Sequence, residues 1–241
     1  GVCPDHEQHM CLGLIDLTDD CNLACPTCFA DSKGSAYLTM DQVKAALDGF
    51  IEQEGVGAVI QFSGGEPTMH PQIVEAVKEA VTRPTEVVMI NTNGIKFAQD
   101  EDLVKRLVDV SENKLEIYLQ FDGFTDEVHQ AIRGAKLADI KMKAIENMLK
   151  HGLPINLAAV IQRGVNEDQV GKIVEFGIET KGIRGVNFQP AFFAGRYDHD
   201  MNPMDRVTNT EIMDRLEKQT DGIFRKTDFI PLPCSHPSEI A

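Results

Sequence analysis

Residues 12–28, LGLIDLTDDCNLACPTC, join an apolar run typical of a buried strand to three closely spaced cysteines. These cysteines, Cys21, Cys25 and Cys28, are separated by three and then by two residues. The loop around them carries aspartate, asparagine and proline, which is not the composition of a packed core. The stretch therefore predicts a strand that ends in a loop presenting three thiols for chemistry.

The rest of the chain repeats this alternation of strand and loop. Short apolar runs predict strands at 12–18, 58–63, 86–92, 115–122, 154–162 and 185–191. Segments of helical period predict helices at 40–53, 71–81, 100–109, 137–150 and 167–180. Thr39 and Gln42 have the spacing of a capping box at the start of the first helix. Six β-α units predict an α/β fold, a partial (βα)6 TIM-like barrel with its strand-to-helix loops on one rim.

Size and charge limit the possible functions. The chain has 241 residues, of which 42% are hydrophobic, enough to bury the core of one domain. A formal net charge of −15 disfavours nucleic acid or an anionic membrane surface as a partner, because both would repel it. We find no apolar run near 18 residues and no charged-then-apolar leader, so we expect a cytoplasmic protein. Peripheral contact with a membrane, and excision from a longer protein, stay open alternatives.

Three clustered thiols favour a particular kind of metal site. A structural zinc ion usually takes four protein ligands, so three cysteines without a fourth make a poor zinc site. Six cysteines in a chain this long, three of them within eight residues, also differ from a disulfide scaffold. A cubane iron-sulfur cluster can take three thiolates and leave its fourth iron open. We therefore expect a 4Fe-4S cluster held by Cys21, Cys25 and Cys28.

The CxxxCxxC spacing directly after the first strand resembles the radical S-adenosylmethionine (radical SAM) superfamily. This resemblance implies that the open iron binds S-adenosylmethionine and that an electron donor such as ferredoxin or flavodoxin reduces the cluster. Cleavage of the cofactor would then yield a 5′-deoxyadenosyl radical that abstracts hydrogen from an unreactive carbon. Many members have an aromatic residue just before the last cysteine. This chain has Thr27 there and Phe29 just after it, which makes Phe29 the candidate for stacking near the adenine.

The segment SGGEP, residues 63–67, follows the second predicted strand. Adjacent glycines at Gly64 and Gly65 allow a ligand to approach the backbone closely, although such a stretch is also typical of a plain turn. Its position resembles the GGEP motif of the superfamily, whose backbone holds the amino group of S-adenosylmethionine. The resemblance therefore implies that Gly64, Gly65 and Glu66 bind the cofactor.

Further cofactor contacts are implied after the third, fourth and fifth strands. The candidates are Asn93, Gln120, Asp122, Gln162 and Arg163. Asn93 followed by Gly94 also fits a simple turn, and Asp122 followed by Gly123 also fits a helix cap. Arg163 suits the carboxylate of S-adenosylmethionine, because a guanidinium can bind a carboxylate through two hydrogen bonds.

Additional cysteines and histidines lie near both ends of the chain. CPDHEQHMC at 3–11 and PLPCSHP at 231–237 supply Cys3, Cys11 and Cys234 as candidate ligands of an auxiliary iron-sulfur cluster. Each of these cysteines, taken alone, is also typical of a small buried hydrophobic residue. We therefore divide the chain into a lead-in at 1–11, a radical SAM core at 12–200 and a C-terminal extension at 201–241.

These flanks resemble the archaeal tetraether lipid synthases and their bacterial relatives. The resemblance extends through CFAD at 28–31, QPAFFAGRY at 189–197 and DRVTNTEI at 205–212. It implies auxiliary iron sites and an isoprenoid lipid substrate, whose tails the enzyme would join by a carbon-carbon bond between unactivated carbons. Phe192 and Phe193 could line an apolar channel for such a substrate, although a phenylalanine pair after a strand is also typical of core.

Two other functions stay open. VIQRGVNEDQV at 160–170 resembles the branch that contains the molybdenum-cofactor GTP cyclase, which favours a radical SAM enzyme that modifies a peptide or a cofactor. A non-catalytic iron-sulfur redox module is the alternative outside the enzyme classes. The glycine pair and the NTNG segment at 91–94 argue for the enzymes.

Overall fold

The computed structural model describes residues 12–30, 32, 34–55, 57–197, 202, 204, 206–231 and 239–240. Within them, six strands form one sheet whose spatial order follows the chain. These strands are β1 (Gly13–Thr18), β2 (Ala58–Gly64), β3 (Thr85–Thr92), β4 (Leu115–Gln120), β5 (Ile155–Ile161) and β6 (Ile183–Pro190). Every neighbouring pair is parallel, so the carboxyl ends of all six strands lie at the same edge.

The α-helices connect and flank these strands. They are α1 (Met40–Glu54), α2 (Ile73–Val81), α3 (Ile95–Gln99), α4 (Glu101–Val110), α5 (Asp126–Arg133), α6 (Ala138–Lys150), α7 (Val170–Glu179) and α8 (Asn209–Gln219). β7 (Ile230–Pro231) and β8 (Glu239–Ile240) form a separate two-stranded antiparallel sheet. In the part of the chain that the structure describes, no helix has both the length and the apolar composition needed to cross a membrane.

The sheet is an open partial barrel, as the sequence predicts. β1 and β6 are its two edge strands and do not pair with each other. The two faces differ in burial: in β4, Leu115, Ile117 and Leu119 are buried under the helices, while the residues between them are only partly covered. This alternation follows from the two-residue period of a strand. The face opposite the helices therefore forms an accessible inner surface.

Helix-facing side chains of the strands form the hydrophobic core. Ile60, Phe62, Ile90, Ile117 and Leu157 are fully buried and belong to one contiguous cluster. Burial of each such side chain contributes roughly 1.5–3 kcal/mol relative to exposure to water. The core thus fixes the strands and, with them, the positions of the loops at the carboxyl edge.

Local signals in the sequence explain the first helix. Thr39 accepts a hydrogen bond from the backbone of Gln42, and the Gln42 side chain accepts one from the Thr39 backbone. The capping box that the sequence predicts is therefore confirmed. The paired bonds satisfy two backbone donors that a helix start otherwise leaves unpaired.

The predicted elements agree with the structure apart from a few boundaries and missing helices. The strand predicted at 115–122 ends at Gln120, and the helix predicted at 71–81 begins at Ile73 after a short 3-10 turn. Helix α5 was not predicted, because its eight residues span barely two turns. Its caps do carry a signal, since Thr125 precedes two acidic residues and Gly134 ends the helix in a left-handed conformation.

Candidate active site

The three cysteines lie on the loop that follows β1, residues 19–28, which we call the cysteine loop. Cys21, Cys25 and Cys28 are partly buried and free. Burial raises the pKa of Cys21 to about 11, and the charges of Glu66 and of the other two cysteines add to the rise. Cys21 therefore ionises less readily than a free thiol. Binding to iron would require thiolates, so the loop is suited to a metal centre that displaces the protons.

The arrangement of the thiols can be compared with the needs of a cluster and of a single metal ion. Among the described residues, no group of three or more histidine, cysteine, aspartate and glutamate side chains is placed to hold one ion. Three thiolates of a cubane cluster need not converge on one point, because each binds a different iron. The arrangement of the cysteine loop is therefore compatible with the predicted 4Fe-4S cluster.

The glycine pair after β2 lies directly against the cysteine loop. Gly64 has a φ of +114°, and a Cβ atom there would overlap the carbonyl oxygen of Thr18. A Cβ atom on Gly65 would overlap the carbonyl oxygen of Asp20. The amide of Gly65 donates to Thr18 at 2.8 Å, and that of Glu66 donates to Asp20 at 2.8 Å. Glycine is required here because two backbones approach each other without space for a side chain.

Glu66 connects the loops that follow β2 and β3. Its side chain is 1% exposed and accepts hydrogen bonds from the backbone and the hydroxyl of Thr68. It also accepts bonds from the Thr92 hydroxyl at 2.7 Å and from the Asn93 amide at 2.8 Å. Both carboxylate oxygens are therefore engaged within the chain, and Glu66 holds Asn93 in place.

Asn93 extends this network to the cysteine loop. Its Nδ2 atom donates to Oδ1 of Asn22 at 2.6 Å. Its Oδ1 atom accepts from the amide of Ile95 at 3.0 Å, and Gly94 is left-handed, so the turn considered from the sequence is present. Buried Lys141 on α6 donates to the Asn93 carbonyl oxygen. Burial and, after it, the neighbouring charge of Arg133 lower the pKa of Lys141 to about 8.

Asp122 forms a buried ion pair. It is 0% exposed and binds Arg133 through two hydrogen bonds, Nε to Oδ2 at 2.6 Å and Nη2 to Oδ1 at 2.7 Å. Its Oδ1 atom also accepts from the amide of Val160 at 3.0 Å. Burial alone would raise the pKa of Asp122, but the charge of Arg133 holds this pKa below its usual range. The side chain predicted as a cofactor contact thus binds Arg133 and the backbone of Val160.

His129 completes the surroundings of Asp122. Its Nδ1 atom lies 3.8 Å from Oδ2 of Asp122, too far for a hydrogen bond. Neither ring nitrogen has a hydrogen-bond partner among the described residues. Its ring packs edge-on against Phe121, so the histidine fills space in the core.

A row of polar side chains crosses the inner surface of the sheet near its carboxyl edge. Gln120 donates to Oδ1 of Asn91 at 3.3 Å, and Asn91 donates to the Ser63 hydroxyl at 3.3 Å. On the same surface, Gln189 on β6 donates to the hydroxyl of Tyr118 at 3.0 Å. We predicted only Gln120 of this row. The signal for Ser63 and Asn91 is their place at the ends of β2 and β3, on the face that carries Gln120 in β4.

Gln162 and Arg163 lie at the other end of the carboxyl edge, after β5. Arg163 donates to Glu211 of α8 at 2.6 Å and to the carbonyl oxygen of Arg206 at 3.1 Å. The amide of Gln162 donates to the side chain of Asn166 at 2.9 Å. Both residues line a cleft together with Ala191 and Phe193.

The segment after β6 closes the open side of the barrel at the rim. The backbones of Cys28 and Arg196 form an antiparallel bridge, with hydrogen bonds of 2.7 and 2.8 Å. The Nε atom of Arg196 donates to the carbonyl oxygen of Cys25 at 2.7 Å. Arg196 was not predicted, because this contact spans 171 positions of the chain. Next to this bridge, Phe29 is 74% exposed.

The predicted auxiliary ligands Cys3, Cys11 and Cys234 lie outside the described residues. Their grouping into a second metal site stays a prediction.

Comparison with known protein families identifies the core. The sequence model of the radical SAM superfamily matches residues 15–177. The chain belongs to the radical SAM superfamily. This superfamily uses a 4Fe-4S cluster and S-adenosylmethionine, and the match covers the cysteine loop, the glycine pair and strands β2 to β5.

Named relatives differ in what they act on. The chain is 35% identical to a 7,8-dihydro-6-hydroxymethylpterin dimethyltransferase of Methanocaldococcus jannaschii, a match covering 100% of this chain and 48% of that protein. It is 29% identical to the mitochondrial GTP 3′,8-cyclase of Arabidopsis thaliana, covering 94% of this chain and 55% of that protein. The chain thus spans about half the length of these curated relatives.

Solved structures agree on the fold. The structure of anSMEcpe with bound AdoMet matches 86% of this chain and 58% of that chain, with a TM-score of 0.64 and 20% identity. SuiB of Streptococcus suis matches 88% of this chain and 46% of that chain, with a TM-score of 0.68 and 19% identity. The open partial barrel is therefore the fold of radical SAM enzymes.

Proposed function

We propose that this chain is the catalytic core of a radical SAM enzyme that abstracts hydrogen from an unactivated carbon. The observation that carries the proposal is the joining of two motifs, since the three free cysteines and the glycine pair meet through backbone hydrogen bonds at one rim. Cys21, Cys25 and Cys28 would hold the 4Fe-4S cluster. When bound, that cluster supplies the electron that cleaves S-adenosylmethionine to a 5′-deoxyadenosyl radical.

The protein contributes position and shielding to this chemistry. Glu66 and Asn93 tie the loops after β2 and β3 to the cysteine loop. Gln120 offers amide groups at the carboxyl edge, which we assign to the ribose or the methionine portion of the cofactor. Phe29 is exposed beside the cysteine loop, in keeping with its predicted stacking role near the adenine.

We propose that the substrate of this enzyme is a polar molecule. The names of the relatives refer to a pterin, to GTP and, in Streptomyces rochei, to the PqqA peptide. The inner surface of the barrel also offers amide and hydroxyl groups from Ser63, Asn91, Tyr118 and Gln189. Such groups recognise a heterocycle or a peptide through hydrogen bonds, whereas an isoprenoid tail has no donor or acceptor to offer them. A radical SAM enzyme that modifies a cofactor or a peptide therefore fits this surface best.

Carbon-carbon coupling of isoprenoid lipids is the second candidate. Phe29 and Phe192 are 74% and 71% exposed; Phe29 directly follows Cys28, and Phe192 lies in the segment between β6 and Arg196. Exposed apolar side chains at the mouth of a site suit an apolar substrate. None of the relatives described above is named for a lipid, so this candidate depends on the apolar mouth and on the sequence resemblance.

The test is cofactor cleavage by the anaerobically reconstituted and reduced chain. We expect 5′-deoxyadenosine, quantified by mass spectrometry, to exceed the background given by the Cys25→Ala variant, which loses one iron ligand. Absence of cleavage by a fully iron-loaded wild-type chain would contradict the enzyme and favour a redox module.

Separate assays identify the substrate class. They contain 7,8-dihydro-6-hydroxymethylpterin, GTP or an isoprenoid phospholipid, and each is analysed for a modified product. Stimulation of cleavage by the pterin or by GTP supports the polar substrate. Stimulation of cleavage by the phospholipid alone would instead favour the lipid-coupling enzyme over an enzyme that modifies a polar substrate.

A further inference from the structure

The C-terminal end of α5 packs against the cysteine loop on both sides of Cys25. Gly134 ends the helix with a φ of +74°. A Cβ atom at this position would lie 3.2 Å from Cδ of Pro26 and 3.4 Å from the carbonyl oxygen of Ala24. The preceding residue of the helix, Arg133, is therefore held against the middle of the cysteine loop.

The guanidinium of Arg133 has a fixed orientation. Arg133 is 7% exposed, and two hydrogen bonds of 2.6 and 2.7 Å join it to Asp122. Asp122 is itself anchored by the amide of Val160 at 3.0 Å. Bidentate pairing of this kind fixes the plane of the guanidinium as well as its position.

The positive charge of the Asp122–Arg133 ion pair, carried by Arg133, acts on Cys25. Burial raises the pKa of the Cys25 thiol, while the charge of Arg133 opposes that rise. Asp122 acts in the opposite sense but is the smallest of these effects. Of the two charges in the pair, the guanidinium therefore has the larger effect on the sulfur.

We propose that Arg133 is a positioning residue that places a buried positive charge at the Cys25 ligand and thereby favours the reduced state of the 4Fe-4S cluster. This inference rests on the proposed function, because it requires a cluster on the cysteine loop. Reduction adds one electron, taken from an external chemical reductant, and so adds one negative charge to the cluster. A cation fixed beside a ligand sulfur stabilises that added charge and raises the reduction potential.

The experiment is a redox titration of the reconstituted cluster in the absence of S-adenosylmethionine. Dithionite is added under argon, and electron paramagnetic resonance measures the fraction of reduced cluster. We expect the midpoint potential of Arg133→Gln to be more negative than that of the wild type. Arg133→Lys keeps the charge but loses the two-point pairing, so its potential should lie between the two.

Two further variants separate this effect from misfolding. Arg133→Gln leaves Asp122 buried without a partner, so the double variant Asp122→Asn with Arg133→Gln removes both charges together. Its potential should shift in the same direction as that of the single variant. Arg83→Gln is the matched control, because Arg83 pairs with Asp48 at 2.7 Å and with Glu79 at 3.1 Å on the outer helices. Its potential should equal that of the wild type.

The possible results distinguish the two proposals. A wild-type chain that holds no cluster overturns the proposed function and this inference together. An iron-loaded Arg133→Gln or double variant with the wild-type potential overturns this inference and leaves the proposed function intact. Equal shifts in Arg133→Gln and Arg83→Gln also overturn it, because the effect would then not depend on the place of the charge.

Discussion

The two ends of the carboxyl edge are built in different ways. After β2 to β4, buried polar side chains bind one another or nearby backbone, as with Glu66 to Asn93 and Asp122 to Arg133. After β5 and β6, Arg163 and Phe192 are exposed, and Arg163 pairs with Glu211 at the surface. A buried polar group keeps one geometry because leaving it unpaired is costly, whereas an exposed one can exchange partners with water. We therefore call the first part of this edge the rigid half and the second part the adaptable half.

The first prediction tests the rigid half where two backbones touch. We expect Gly65→Ala to lower the free energy of unfolding by about 2 kcal/mol, because the added methyl group would overlap Asp20 and push the cysteine loop away. Reconstituted iron content and cofactor cleavage should fall with it. Guanidinium unfolding followed by circular dichroism, together with an iron assay, measures both effects.

Gly49→Ala is the control for that substitution. Gly49 lies in α1, and a Cβ atom there would have no neighbour within 4 Å. Its replacement should leave iron binding unchanged and raise stability by up to about 1 kcal/mol through helix propensity. Equal losses in the two alanine variants would mean that the contact between the glycine pair and the cysteine loop is not needed for folding.

The second prediction concerns the buried Lys141 in the rigid half. Its pKa of about 8 in the folded chain lies below that of a lysine in the unfolded chain, near 10.4. Between these values the unfolded chain binds more protons, so the penalty for burying this lysine is full below pH 8 and is relieved as the pH rises. Relative to Lys141→Met, the wild type should gain roughly 2 to 3 kcal/mol of stability between pH 7 and pH 10.

Urea unfolding of the reduced, cluster-free proteins at several pH values measures this difference. The raised pKa of Cys21, about 11, works in the opposite direction, because it removes stability as the pH rises above 9. That contribution is common to both proteins and cancels in the comparison. Parallel pH profiles of the two proteins would show that Lys141 is solvated in the folded chain.

The third and smallest effect is expected in the adaptable half. Arg163→Gln removes a partly exposed ion pair, so we expect a loss of stability below about 1 kcal/mol. If Arg163 stays with Glu211, the dissociation constant of S-adenosylmethionine should change by less than about twofold. Isothermal titration calorimetry on the iron-loaded chain measures that constant. Weakening of about tenfold or more would instead mean that Arg163 binds the cofactor carboxylate, as the sequence suggests.

The sequence predicts the barrel well because its signals are local. Apolar runs at intervals, the capping box at Thr39 and the glycines that end segments each depend on neighbouring residues, and all six strands are confirmed. Three helices were the exception: α3 and α5 are short, and α8 has 11 residues and its own capping box at Thr208 and Glu211. α5 offers two caps but barely two turns of periodicity, and its detection depends on the packing of Arg133 and Gly134 against the cysteine loop.

The sequence by itself determined the three cysteines, the glycine pair, the strand order of a partial barrel and the superfamily to which these point. Only the tertiary structure decided which side chains meet at the rim. The sequence predicts Asp122 as a cofactor contact, and the structure shows that its buried side chain binds Arg133. Arg196 contacts the carbonyl oxygen of Cys25 although the two residues are 171 positions apart. The reason is physical: a motif is fixed by the spacing of neighbouring residues, whereas the partner of a buried charge is set by how distant segments pack, where every unpaired polar group is costly.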